Sequence, residues 1–341
     1  MDFRDLLTED GRAVLLLCSS FGVEDGDAAP YTLSEWNELA GKIHGSELKR
    51  PAALADRSPA ELAASLGIAA DEAGRIQRLL GRAERIASEL ERLHANGIWA
   101  VTRADPQYPA KLRETLKHQA PSVLFGAGEI GLLKRPGVAV VGSRHIDEAG
   151  TTFARRVGCR CAAAGVPVVS GGARGTDRLA MEGALEAGGT AFGVLADSVE
   201  RTIRQEDVHG FLHDNRLVLL TPYAPDAGFS VGAAMGRNKV IYGLAEYAVV
   251  VSSDRNKGGT WAGAVEALKA GWCPLFVRTG DGVPDGNGAL LEKGSAPIDD
   301  SALGDAVDLS EWLRGHAIKK PKEPELFPEM ARERRARYGR R

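Results

Sequence analysis

Cysteine, methionine and aromatic residues are all scarce in this chain of 341 residues. Four Cys, four Met and an aromatic share of 6% each narrow what it can be. The cysteines stand at 18, 159, 161 and 273, with no Cys-x-x-Cys pair and no His pair at zinc spacing. That argues against a disulfide framework and against a structural metal site, so no metal or other cofactor is expected. The Cys159-x-Cys161 pair falls in an apolar helical stretch, where thiols act as small hydrophobes. Long apolar runs are missing as well. The longest, AVLLLC at 13–18, is far too short to span a bilayer. It is flanked by Asp2, Asp5, Glu9 and Asp10 rather than by the basic start of a signal peptide, which makes the expectation a cytoplasmic protein away from membranes. A strong charge of either sign is absent too. The formal net charge is −3, so any polyanion must be met by a local basic patch rather than by the whole molecule.

What is present is the composition of an ordinary globular chain, 44% hydrophobic and 26% charged, long enough to bury a full core beside a smaller module. Three segments follow from patterning. Residues 1–97 read as helical, with pieces at Ser34–Ile43 and Pro59–Leu66. A long stretch from Asp71 to Ala95 carries Ile76, Leu79, Leu80, Ala83, Ile86, Leu90 and Leu93 at helical spacing. Asp71 stands where an N-cap would and Gly97 where a helix would stop.

From residue 98 to about 280 short apolar runs alternate with helical stretches. Strands are expected at Gly137–Val141, Val166–Ser170, Thr190–Leu195, Leu217–Leu220, Tyr247–Ser252 and Pro274–Val277. Helices are expected near 148–164, 177–187, 200–212, 234–244 and 260–270. Near-continuous Val/Leu strands separated by helices predict an α/β fold: a Rossmann-like, doubly wound, mostly parallel sheet covered on both faces. The loops after the strand C-ends then share one crevice. Residues 281–341 form the third segment. Gly280–Asp308 has no sustained period and reads as loop. From Lys319 to Arg341 nine Lys/Arg face four Glu. Two readings stand for that tail, a solvated end and a basic nucleic-acid-binding arm.

Four loops at strand ends combine small residues with cations. The first is Gly142-Ser143-Arg144, where glycine admits a ligand to the backbone and arginine suits bidentate phosphate contact. The second, SGGARGTD at 170–177, contains Ser170, Gly171, Gly172 and Arg174. Successive glycines there can turn several N–H groups towards one anion, and Asp177 is placed to cap the following helix. It is not the G-x-G-x-x-G fingerprint, and no acidic residue closes the next strand to hold a ribose, which disfavours NAD. The third, Gly236-Arg237-Asn238-Lys239, brings two cations within three residues. The fourth is Lys257-Gly258-Gly259-Thr260, a second glycine-rich entry into a helix. It is followed by Trp261, which either stacks on a base or packs against the helix behind it.

In this order the loops resemble the DNA-processing protein A (Smf) family. The resemblance runs from Tyr108-Pro109-Ala110-Lys111-Leu112 through Ala120-Pro121-Ser122-Val123-Leu124-Phe125-Gly126 and Val138–Arg144. It continues in SGGARGTD, in GRNKVIYGLAEYAVVV at 236–251 and in GGTWAGA at 258–264, covering about 98–278. It implies a Rossmann-like fold of the SLOG/lysine-decarboxylase-like group, with a sterile-alpha-motif-like helical module in front. It also implies a homodimer that binds single-stranded DNA in a basic pocket containing Arg144, Arg174, Arg237 and Lys239, hands it to a RecA-type recombinase, and does no chemistry on it. The chain departs from the family pattern at Ala180-Met181, at Ala196–Glu200, at Met235-Gly236 and at Gly263, and no winged helix is discernible at the end. The role implied is DNA uptake, recombination mediation or, with another partner, defence against foreign DNA. Two alternatives use the same crevice. One is a SLOG-type nucleotide sensor. The other is a nucleoside-monophosphate phosphoribohydrolase-like enzyme, whose loop the Gly258-Gly259…Glu266 segment resembles without its Pro and with the Glu one residue late.

Overall fold

A computed structural model describes residues 6–318; the basic tail from Lys319 lies outside them. Nine strands form one sheet: β1 (Ile98–Thr102), β2 (Val123–Ala127), β3 (Gly137–Gly142), β4 (Val168–Ser170), β5 (Ala191–Val194), β6 (Leu217–Thr221), β7 (Ala245–Ser252), β8 (Leu275–Arg278) and β9 (Ala296–Ile298). Their order is β1-β2-β6-β5-β4-β3-β7-β8-β9. From β6 to β9 every pairing is parallel, whereas β1–β2 and β2–β6 are antiparallel. The mostly parallel, doubly wound sheet matches the expectation. Side-chain alternation builds a core on each face: Val138 and Val140 enter one apolar cluster, Ala139 and Val141 the other.

Helices α1 (Glu9–Cys18), α2 (Leu33–Gly45), α3 (Pro59–Leu66), α4 (Ala70–Leu80) and α5 (Ala83–Ala95) precede the sheet. The single helix expected over 71–95 is two, broken at Gly81-Arg82. The buried Arg82 side chain donates to the Leu16 and Leu79 carbonyls there, tying the corner to α1. Asp71 is not the cap: α4 starts after Ala69, and Asp71 lies in its first turn. These helices share a core with the sheet, and Phe21 meets Phe125 edge-on at 5.4 Å. Asp105 accepts from the Thr8 hydroxyl at 2.7 Å and from Thr102 N–H at 2.8 Å, bolting the start of α1 to the end of β1.

Between the strands run α6 (Ala110–Leu116), α7 (Glu148–Ala163), α8 (Thr176–Glu186), α9 (Val199–Thr202), α10 (Glu206–His213), α11 (Val231–Leu244), α12 (Gly258–Ala270), α13 (Asp285–Glu292) and α14 (Leu309–His316). The helix expected over 200–212 is split into α9 and α10. The Gly280–Asp308 segment is not loop. It supplies α13 and β9, so the sheet runs past the expected boundary at 280. β9 is only three residues, with Ala296 and Ile298 buried and Pro297 exposed, too short to show a period. Its position at the sheet edge is where proline is tolerated. Buried Asn287 locks α13 in place, donating to the Val251 and Arg278 carbonyls and accepting from Ser253 N–H at 2.9 Å. No helix among the described residues is long and apolar enough to cross a membrane.

Candidate functional site

After β3 the chain adds strands on one side, β4 to β6, and then returns to add β7 to β9 on the other. The turns leaving β3 and β7 therefore diverge, which opens a crevice at the strand C-ends. A cavity of about 630 Å³ occupies it. Its floor is the end of β3 and β7, one wall is the first turn of α12, and the opposite wall is the N-terminal half of α11. Hydrogen bonds knit these loops together. Ser143 N–H donates to the Ser252 carbonyl at 3.0 Å, the Thr260 hydroxyl to the Gly142 carbonyl at 3.0 Å, and the Asn238 amide to the Gly259 carbonyl at 3.2 Å. The Ser170 hydroxyl is turned inward to the Val140 carbonyl. These polar groups position the cavity's backbone rather than offering themselves to a ligand.

The cations divide differently from the sequence expectation. Arg144, Arg237 and Lys257 line this cavity, together with Gly142, Ser143, Asn238, Gly258, Gly259 and Thr260. Arg144 and Lys257 are exposed and have no ion-pair partner among the described residues, and the Arg144 guanidinium lies 5.5 Å from the centre of the Phe229 ring. Arg174 is exposed in an adjoining groove that Arg144 and Arg178 also line. Lys239 is on the far side of α11 and lines a separate cavity.

Arg237 does not belong to a loop at all. It stands inside α11, 5% exposed, with its guanidinium pressed against Gly171 where any Cβ would collide with it. Only glycine lets the second loop close over this side chain. Its Nη2 is 3.9 Å from Asp177, while its Nε and Nη1, both buried, make no hydrogen bond among the described residues. Two buried donors left unpaired on a cation at a cavity wall are costly, and its positive charge is left to act on whatever occupies the cavity. Asp177 is not the cap of α8 either, since Gly175 occupies that position. The Asp177 carboxyl is buried against Arg237, and burial pushes its pKa up more than the arginine and nearby N–H groups pull it down. Burial likewise lowers the pKa of Arg237.

The α12 N-terminus adds unpaired first-turn N–H groups at Gly258 and Gly259, at the positive end of a thirteen-residue helix. Trp261 is 8% exposed. It packs in the apolar core while one part of it lines the cavity, with Lys293 over its ring. Glu266 is exposed on α12 and does not line the cavity. Among the described residues no cluster of His, Cys, Asp or Glu is arranged to hold a metal ion. Sequence reading missed Phe229, Val231 and Met235, apolar side chains that are respectively 52%, 70% and 48% exposed at the cavity lip. Their signal was available only as apolar residues at the start of a helix, indistinguishable from a buried stripe.

Comparison with known proteins places this geometry. The DNA recombination-mediator protein A family model matches residues 99–299. The DNA processing protein DprA of Streptococcus pneumoniae is 30% identical over 196 residues, covering 56% of this chain and 67% of that protein. A putative DNA processing protein DprA of Mycobacterium tuberculosis is 28% identical over 220 residues, and the match spans about half of it, 53%, and 59% of this chain. Protein Smf of Escherichia coli is 30% identical over 154 residues, 44% of this chain and 40% of that protein. Among solved structures, DNA processing protein A of S. pneumoniae superposes with a TM-score of 0.62 at 20% identity, covering 85% of this chain and 99% of that one. DNA processing protein A of Helicobacter pylori, described with a single-stranded DNA binding mode, superposes at 0.52 with 24% identity over 64% of this chain and 97% of its own.

Proposed function

The chain belongs to the DNA recombination-mediator protein A family, and from that premise we propose that it binds single-stranded DNA in the crevice at β3 and β7. The observation that carries the reading is buried Arg237 with two open donors, flanked by Arg144 and Lys257. A phosphate seated there meets the Arg144 guanidinium, the Lys257 ammonium and the α12 N–H groups, with the buried charge of Arg237 behind them. Exposed Phe229, already under a guanidinium, offers a face on which a base stacks whatever its identity. Binding is thus to backbone and stacked base, without sequence readout. A homodimer delivering the strand to a RecA-type recombinase completes the role that the family premise supports.

Fluorescence anisotropy with single-stranded DNA, duplex of the same length and AMP, each at two salt concentrations, tests this. The single strand should bind tightest. Three phosphate contacts give a slope of log affinity against log salt of about −2. Arg144→Ala should weaken single-strand binding about tenfold, the value of one charge-assisted contact. Equal affinity for AMP and DNA, insensitive to salt, would favour a nucleotide-sensing crevice instead.

On the same reading the chain hydrolyses no glycosidic bond. Glu266 faces solvent away from the cavity, and the carboxylate nearest the open donors, Asp177, is already opposed by Arg237. Incubation with AMP or CMP should release no free base. Release that disappears in Glu266→Gln would overturn this assignment.

A further inference from the structure

Residues 237 and 239 are two apart on one helix, so they leave α11 on roughly opposite sides. Lys239 and Gly236 line a second, open cavity of about 420 Å³ between the N-terminal helices and the sheet. Among the described residues no Asp or Glu lines that cavity, and Lys239 is the one cation there and has no ion-pair partner. Of the aromatic residues at its wall Tyr223 is half-buried, whereas Phe125 and Tyr31 are buried and Arg75 already covers the Tyr31 ring. Both phenol hydroxyls are already committed, Tyr31 to Glu72 and Tyr223 to the Ala233 carbonyl, so the Tyr223 ring rather than a hydroxyl remains for a ligand. One positive charge, no negative one and the half-buried Tyr223 ring complement a nucleotide: an anionic phosphate joined to an aromatic base. The two cavities are separated only by α11, about 10 Å across. The helix carries Val231 and Met235 exposed beside the first cavity.

We propose that the second cavity is a further nucleotide subsite, entered by the same strand after it crosses α11, with Lys239 on its phosphate. The inference rests on the single-stranded DNA reading of the first cavity. It gives the helical N-terminal module a direct part in binding, because α1 and the segment before α2 form one wall.

Anisotropy titrations of the whole protein with a short oligothymidylate and with one several nucleotides longer test it. The longer strand should bind tighter, and Lys239→Ala should shrink that advantage about tenfold. Arg144→Ala should weaken both lengths while preserving their ratio. A second readout uses Ser20→Cys, a position exposed at the second cavity, in a Cys159→Ser background. Burial raises the pKa of the neighbouring Cys18 thiol far enough to keep it unreactive. Maleimide labelling at position 20 should be slowed by the longer oligonucleotide and not by the short one. A length ratio unchanged in Lys239→Ala, or labelling indifferent to the longer strand, would overturn the subsite while leaving the first cavity standing. Failure of the whole protein to bind any single strand would overturn both.

Discussion

Replacing Arg237 by methionine is expected to cost the fold about 3–5 kcal/mol at neutral pH and to abolish most single-strand binding. Methionine fills the apolar path of the arginine stem, so the loss is electrostatic. Asp177 is left buried without its cation, and the N–H groups of Ala173 and Gly171 with the Ser170 hydroxyl are what remain to hold its charge. The sign of the pH dependence follows. Burial already raises the Asp177 pKa in the folded protein, and removing Arg237 raises it further. A group with a raised folded pKa is no burden below its unfolded value, near 3.9 for aspartate, and becomes one as pH climbs through the folded value. Wild type and Arg237→Met should therefore converge in acid and diverge towards neutrality. Adding Asp177→Asn should restore part of the stability and none of the DNA binding. Arg237→Lys keeps the charge but loses the planar fork, so it should recover stability more than affinity. Urea unfolding at several pH values, paired with anisotropy, checks all three variants. An Arg237→Met protein that unfolds at the wild-type midpoint at neutral pH would show that the pair contributes nothing to the fold.

The sequence was most readable where chemistry and period coincide. β3 to β8 are short Val/Leu-rich runs, and the structure places each of their ends within two residues of expectation. The glycine-rich loop at 170–177 was legible because only glycine satisfies it: Gly172 and Gly175 both have positive φ, and Gly171 makes room for Arg237. Less visible were β1 and β2, whose antiparallel pairing is set by neighbours distant in sequence, and β9, too short to carry a pattern. The apolar period over 71–95 continues across Gly81-Arg82 although the helix does not, because the break is decided by Arg82 reaching α1. For the site, adjacency in sequence misled. Arg237 and Lys239 read as one cationic pair, and the helix sends them into different cavities. Nothing in the local sequence marks Arg237 as buried, since its partner Asp177 lies sixty residues away and was itself expected to cap a helix.

Gly175→Ala should destabilise the protein by about 3 kcal/mol or more and deform the site, whereas Gly172→Ala, three residues earlier, should cost only about 1–2 kcal/mol. Both glycines have positive φ, so backbone preference alone does not separate them. Gly172 has φ +64, the left-handed region a non-glycine residue enters at modest cost, and an added Cβ there meets only Leu195 at 3.4 Å. Gly175 has φ 90 and ψ −133, outside that region, and its added Cβ would lie 2.5 Å from the Arg144 carbonyl oxygen and 2.7 Å from that of Ser143. Those atoms are backbone and cannot rotate aside. They belong to the turn that presents Arg144 to the cavity, joined here to α8 by Thr176, whose N–H and hydroxyl both donate to the Ser143 carbonyl, at 3.3 and 3.1 Å. The strain and the collision therefore add at the seam between the two anion-facing loops. Relief requires the Ser143–Arg144 turn to move away from α8, carrying Arg144 with it and weakening DNA binding in whatever fraction stays folded. Thermal or urea midpoints of the two alanine variants give the comparison directly. Equal losses would mean that the seam yields freely, and that the closeness of these loops does not fix where Arg144 points.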